Sequence, residues 1–327
     1  MKICIYGAGA VGGYLAGRLA LAGAEVSILA RGAHLEAIRS QGLLVCAHDG
    51  DHLSRPRAAS DANELGPQDV VLVTTKQTAL GEVAQGIGPL LGPQTSVIFI
   101  TNGIPWWYFD GDGGDWEGKR IPEVDPGDVV RESIGIERTI GGLIYIACSV
   151  AKPGVVRSAS NNVRLIIGEP GGALSERTRL IAQIFGSSGV TCEVTPDIRT
   201  EVWAKLMGNI ASGPLCLLTR STMAELLSDP VMRDFASDIL EETMLIAEKL
   251  GRPVLGTVAS RLERAAQIAT KPSIVHDLEL GRPLEIDAQL RVPLRFANEL
   301  KISAPTLTMF TSLAVHLGRA TGTYEGP

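Results

Sequence analysis

The hydrophobic pattern changes its period along the chain. In the first hundred residues short aliphatic, β-branched runs ("KICIY", "EVSILA", "DVVLVTT", "TSVIFI") alternate with segments of helical spacing, Val11 to Ala22, His34 to Gln41 and Thr78 to Leu91. Strands alternating with helices predict a parallel sheet covered on both faces, because each helix must carry the chain back to the same end of the sheet. The later runs "GGLIYIACSVAKPGVVRSASNNVRLIIGE" and "TCEVT", with a helix from Ser175 to Phe185 between them, predict further, mainly antiparallel strands completing this domain. From Pro196 the period becomes helical throughout: Ile198 to Ala211, Met223 to Leu250, Val258 to Ala269, Leu284 to Lys301 and Pro305 to Arg319. The predicted boundary divides residues 1–195, an α/β domain, from residues 196–327, an all-α domain.

Composition narrows the ligand. A chain of 327 residues with 45% hydrophobic content can bury two cores. Its net charge of −6 and lack of a basic run argue against nucleic acid and anionic membrane as partners, leaving a small molecule. The N-terminus passes from a short apolar strand into glycines, unlike a signal peptide or a membrane helix, so the expected compartment is the cytoplasm. The five cysteines are scattered without a CxxC pair, which reads as free thiols. "HDGDH", His48 to His52, reads as a polar hairpin turn around Asp49 and Gly50 rather than as metal ligands.

The candidate chemistry begins in "GAGAVG", where Gly7, Gly9 and Gly12 have the GxGxxG spacing. Spacing alone is weak evidence, but this motif follows an apolar strand and opens a helix. There the backbone N–H groups of Ala10, Val11 and Gly12 face a ligand, and glycine lets a pyrophosphate approach. The expected fold is therefore a Rossmann-type doubly wound parallel sheet followed by the helical domain. Where such a fold reads the adenosine ribose, "SILAR" ends in Arg31, whose guanidinium suits the 2′-phosphate of NADP. Lys76 in "TTKQ" and Asn102 in "TNG" end two further strands and point at the same ligand region. In the helical domain "EVWAKLMGN" sets Glu201, Lys205 and Asn209 on one helix face, where an ammonium and an amide can bind a carboxylate or carbonyl; an ordinary surface ion pair is the other reading.

Taken in order, "GAGAVGG", Arg31, "TTK", "NG", "EVWAKLMGN" and "KPSIVHDLELGRPLEID" resemble the ketopantoate reductases over nearly the whole chain. The resemblance implies NADPH-dependent reduction of a small 2-oxo acid, ketopantoate to pantoate, in pantothenate biosynthesis. It also implies Lys205 as general acid, Glu285 in "LEID" orienting the substrate, Asn209 and Ser273 contacting it, and Asn102 and Lys76 lining the cofactor and substrate cleft. Two features depart from the pattern. Gly213 stands where the family usually has a second asparagine, and "IPWWYFDGDGGDWEGKRIPEVDPGDVV" replaces a short connection after "NG". These departures admit a different, bulkier 2-oxo acid or ketone; a cofactor-binding regulator without turnover is the rival class. The aromatic cluster Trp106 to Phe109 reads as a core anchor, a partner surface or a lid, and an exposed apolar helical face points to a homodimer.

Overall fold

The computed structural model describes residues 1–326. The chain divides into two compact units, Met1–Thr101 with Trp106–Ile198, and Asn102–Pro105 with the chain from Arg199 onward.

In the first unit β1 (Lys2–Tyr6) leads through a glycine turn into α1 (Ala10–Leu21), then β2 (Glu25–Leu29) and α2 (Gly32–Gln41). The chain continues through β3 (Leu43–Ala47), β4 (Gly50–Ser54), β5 (Arg57–Ala59), β6 (Gln68–Val73), α3 (Leu80–Gly86) and β7 (Leu91–Ile100). After the aromatic segment come α4 (Val129–Ile134), β8 (Thr139–Tyr145), β9 (Cys148–Lys152), β10 (Val155–Ser158), β11 (Arg164–Gly168), α5 (Glu176–Ser187) and β12 (Thr191–Val194). Among the described residues the large sheet has the order β12-β11-β8-β7-β6-β1-β2-β5, parallel except where β11 runs against β8. The strand order reverses at β1: β2 and β5 extend to one side, and β6 and β7 to the other. Such a switch point lies at the carboxyl ends of β1 and β6, where open α/β sheets bind ligands. Ile3 to Ile5 in the middle of β1 and Val70 to Val73 at the end of β6 are buried, as strands covered on both faces require.

The late strands only partly follow the antiparallel expectation. β8 pairs parallel with β7, and β12 with β11, because helical connections return the chain to the same end of the sheet each time. β9 and β10 form a second sheet with β3 and β4, in the order β4-β3-β10-β9, packed against α1. The "HDGDH" hairpin turns at His48 and Asp49, one residue earlier than the sequence suggests. Asp49 there accepts from Arg18 Nη1 at 2.6 Å and lies 3.2 Å from His52 Nε2.

The second unit is helical: α6 (Ile198–Ile210), whose first residue belongs to the first unit, then α7 (Gly213–Thr219), α8 (Met223–Ser228), α9 (Pro230–Lys249), α10 (Val258–Ala265), α11 (Ser273–Glu279), α12 (Val292–Glu299) and α13 (Pro305–Ala320). The helix α7 carries no clear periodic signal and is not expected from the sequence. The single helix expected from Met223 to Leu250 is broken at Asp229, whose carboxylate caps α9 by accepting from Val231 and Met232 N–H, with Pro230 as the first helical residue. The helix expected from Leu284 to Lys301 contains a π-helical stretch, Asp287–Arg291, before α12.

Candidate active site

The candidates of the first unit begin at the glycine turn after β1. Gly7 has φ +99°, and a Cβ at Gly12 would collide with both Gly7 O and Thr74 Oγ1, so a side chain at Gly12 would split the turn from β6. Thr74 Oγ1 donates to Gly7 O at 2.8 Å and closes this contact across the switch point. Gly9 caps α1, and a Cβ there would meet nothing within 4 Å. The N–H groups of Ala10, Val11 and Gly12 begin the helix, where backbone donors lack intrahelical partners. This open, donor-rich turn fits the pyrophosphate of a dinucleotide.

Arg31 follows β2 as the cap of α2, and its side chain is 75% exposed. Its Nη1 lies 2.9 Å from Glu82 Oε2, a carboxylate in the first turn of α3. Lys76 caps the short 3-10 turn that follows β6 and is half-buried.

The second unit carries the remaining candidates. Asn102 to Pro105 follow the end of β7 and pack with the helices: Ile104 N donates to Ala288 O at 2.8 Å, inside the π-helical stretch. In that stretch Val292 N bonds to Asp287 O, five residues back, so the next donor in register would come from position 293. Position 293 is Pro293, which has no N–H, and the carbonyl of Ala288 is left to receive Ile104. Gly103 makes the approach possible, with φ +78° and Ala288 O standing where a Cβ would need to go. This docking presents Asn102 Nδ2 to Glu285 Oε2 at 3.2 Å.

Glu285 is only 6% exposed. The residue before it is held by Leu284 N donating to Thr323 O at 2.9 Å. The π-helical stretch after it is held by Arg291 and Tyr324, each bonded to Asp287 Oδ1, at 2.8 and 2.7 Å. Burial pushes the Tyr324 phenol up to about 12, with the neighbouring Asp287 carboxylate adding to the shift, so it stays a neutral donor. The sequence reading missed Asp287, Arg291 and Tyr324; the Asp–Arg pair at i, i+4 was the available signal. Lys205 lies in the middle of α6. Desolvation lowers its pKa from 10.5 to about 8, and the charge of Glu285 opposes that shift. Asn209 follows one turn later on the same helix.

Thus Lys205, Glu285 and Asn102 are electrostatically or directly linked, and Asn209 shares the helix of Lys205. Ser273 begins α11, exposed, and α11 packs on α7, where Gly213 is the first residue. A Cβ at Gly213 would touch only Ile274 Cγ2, at 3.8 Å, so the position has room for a side chain.

The aromatic segment is core. Trp106, Trp107, Tyr108 and Phe109 are each 1–2% exposed. Trp106 meets Phe99 of β7 edge-on with centroids 5.6 Å apart, and Arg131 of α4 lies over its ring. Arg131 grips Asp110 through two 2.5 Å bonds. The glycine tip is also tied down, Gly111 N and Gly113 N both donating to Glu117. Of the three roles open on sequence grounds, the buried anchor is the one this packing supports.

A dinucleotide-type glycine turn at a sheet switch point in one unit, and in the other a desolvated lysine whose pKa shift a buried carboxylate opposes, are the parts of an oxidoreductase acting on a CH–OH/C=O pair. Comparison with known proteins gives the family. The family model "Ketopantoate reductase PanE/ApbA" matches residues 3–172, and its C-terminal counterpart matches residues 197–317. The 2-dehydropantoate 2-reductase of Mesorhizobium japonicum is 41% identical over 327 residues, which cover 99% of this chain and 100% of that one. The fold matches a candidate ketopantoate reductase of Ralstonia solanacearum MolK2 at TM-score 0.92 and 38% identity, covering 98% of this chain and 99% of that one. It also matches a 2-dehydropantoate 2-reductase of Geobacter metallireducens GS-15 at TM-score 0.85 and 30% identity, covering 98% and 100%. The chain belongs to the ketopantoate reductase family. Among the described residues no helix is long and apolar enough to cross a membrane.

Proposed function

We propose that this protein reduces a small 2-oxo acid with NADPH, 2-dehydropantoate to pantoate, with residues 1–195 holding the cofactor and residues 196–327 supplying the substrate chemistry. What carries the reading is the buried Glu285 carboxylate, which Asn102 Nδ2 reaches at 3.2 Å and whose charge opposes the desolvation that lowers Lys205 to about 8. A nicotinamide cofactor held by Gly7, Gly9 and the first N–H groups of α1 would supply the hydride for the ketone carbon. Negative charge then grows on the carbonyl oxygen, where the Lys205 ammonium stabilises it and gives up a proton, which its lowered pKa makes easy near neutral pH. Glu285 keeps part of the lysine population protonated and, through Asn102, is itself held in place. Asn209, Ser273 and Asn102 are the substrate contacts in this reading. Gly7, Gly9, Ala10, Val11, Gly12, Lys76 and Asn102 hold the cofactor, with Arg31 on the 2′-phosphate. The relative at 41% identity supports the substrate. Five free cysteines suit a reducing compartment, the cytoplasm, and the exposed apolar residues on the helices of the second unit, among them Met309 and Leu313, suit a homodimer.

Steady-state turnover of 2-dehydropantoate with NADPH, then NADH, tests the reading, with Lys205→Ala beside the parent. A loss of about 100- to 10,000-fold in kcat is expected for the variant, the usual worth of a positioned general acid. Unchanged turnover in Lys205→Ala removes the mechanism. One observation favours a second substrate: the room at Gly213 suits a 2-oxo acid bulkier than 2-dehydropantoate. Ranking kcat/KM over a panel of 2-oxo acids separates the two, and Gly213→Asn should narrow the range toward the smaller substrate.

A further inference from the structure

Arg31 is the cation positioned to read the 2′-phosphate, yet it has a partner already. Glu82 reaches it from α3, and the two are joined at 2.9 Å with both side chains exposed. Burial raises the phenol of Tyr6, the last residue of β1, and the charge of Arg31 offsets part of that rise while Cys4, Glu82 and Asp61 add to it. A cation already paired with a carboxylate therefore sits at the place where the adenosine ribose of a dinucleotide binds in this kind of fold.

We propose that Glu82 sets the cofactor preference of this protein, competing with the 2′-phosphate for Arg31 so that NADPH is favoured only modestly and NADH is accepted as well. The proposal rests on the reading of Arg31 as the phosphate-binding group. Its physics is local. To bind the 2′-phosphate, Arg31 must share or leave the Glu82 carboxylate, and the phosphate then carries close to two negative charges on the order of 7 Å from a third. Repulsion of that size in water, screened by salt, weakens NADPH binding roughly three- to fivefold at low ionic strength and less at physiological salt. NADH carries a neutral 2′-hydroxyl at this point and escapes the penalty. The Glu82 carboxylate can accept a hydrogen bond from that hydroxyl, the role an acid plays in NAD-binding folds.

The test measures dissociation constants for NADPH and NADH by fluorescence titration at low and high salt. The parent protein is compared with Glu82→Gln, Glu82→Lys and Arg31→Ala, all surface changes whose folding is checked by circular dichroism. The expected result is a ladder: NADPH binds roughly three- to fivefold tighter in Glu82→Gln and tighter still in Glu82→Lys, NADH binding holds or weakens, and the gain shrinks as salt rises. Arg31→Ala should weaken NADPH selectively. If Arg31→Ala does so while both Glu82 variants leave the NADPH to NADH ratio unchanged, the role of Glu82 is overturned and that of Arg31 stands. If Arg31→Ala weakens both cofactors equally, the phosphate reading of Arg31 fails and the proposal fails with it.

Discussion

In the proposed mechanism the charge on Glu285 sets how well Lys205 acts as a proton donor, and Glu285→Gln isolates that charge. The glutamine keeps an oxygen for the Asn102 amide, which donates to Glu285 Oε2 at 3.2 Å, so geometry is conserved while the attraction is removed. Lys205 sits at about 8 because desolvation outweighs the pull of Glu285, so the variant should fall lower. Two charges on the order of 5 Å apart at an effective dielectric near 20 interact by about 3 kcal/mol. One pH unit corresponds to about 1.4 kcal/mol, so even half of that interaction moves the lysine by about one unit. At pH 7 Lys205 is then mostly protonated in the parent, and less so in the variant. The assay is kcat/KM for 2-dehydropantoate across the pH range, which reports the free enzyme's ionisations. The parent should lose activity as pH rises through about 8, the falling limb of the variant should start about one unit earlier, and the two should converge at the acid end. Stability gives a second readout. A lysine whose folded pKa lies below its unfolded value leaves the unfolded state holding more protons between the two, so its contribution to stability rises with pH from about 8 to 10.5 in the parent. That window should open at lower pH in the variant. A limb that stays in place while the rate drops evenly at every pH would refute the electrostatic argument and leave Glu285 with a purely positional part.

Other perturbations reach the remaining parts of the site. Gly12→Ala drives a methyl group into Gly7 O and Thr74 Oγ1, and should abolish nicotinamide binding in a fluorescence titration while lowering the melting temperature. Gly103→Ala adds a left-handed backbone penalty of about 1–2 kcal/mol and a clash with Ala288 O, so the Asn102 segment lifts away and kcat falls more than KM rises. Arg131→Met removes the two 2.5 Å bonds to Asp110, leaving Arg120 at 3.9 Å from that carboxylate, and should cost about 1.5–3 kcal/mol in denaturant unfolding, with kcat of the folded fraction unchanged.

Much of the sheet could be read from the chain because its evidence is local. A strand buried on both faces is an unbroken aliphatic run, a crossover helix repeats every 3.6 residues, and the glycine turn sits where the two meet. The family motifs likewise mark Lys205, Asn209 and Glu285 individually. The connections between them are not local. Asn102 reaches Glu285 across 183 positions of sequence. It does so because Pro293 withholds a donor, the π-helical register frees Ala288 O, and Gly103 has no Cβ. Each of these residues has an unremarkable reading alone: a proline near a helix start, a short helix former, a glycine after a strand. The aromatic segment misleads in the opposite direction. Its glycines and acids are the composition of a mobile loop, and only the pairing of Asp110 with Arg131, 21 positions away, reveals that its tryptophans are fixed in the core. Arg31 shows the same limit at the cofactor end. Its position after the second strand signals a phosphate reader, but the carboxylate paired with it lies 51 residues further on, in the first turn of another helix. A motif names the groups that do the chemistry, whereas affinity and pKa depend on partners that only folding brings within reach.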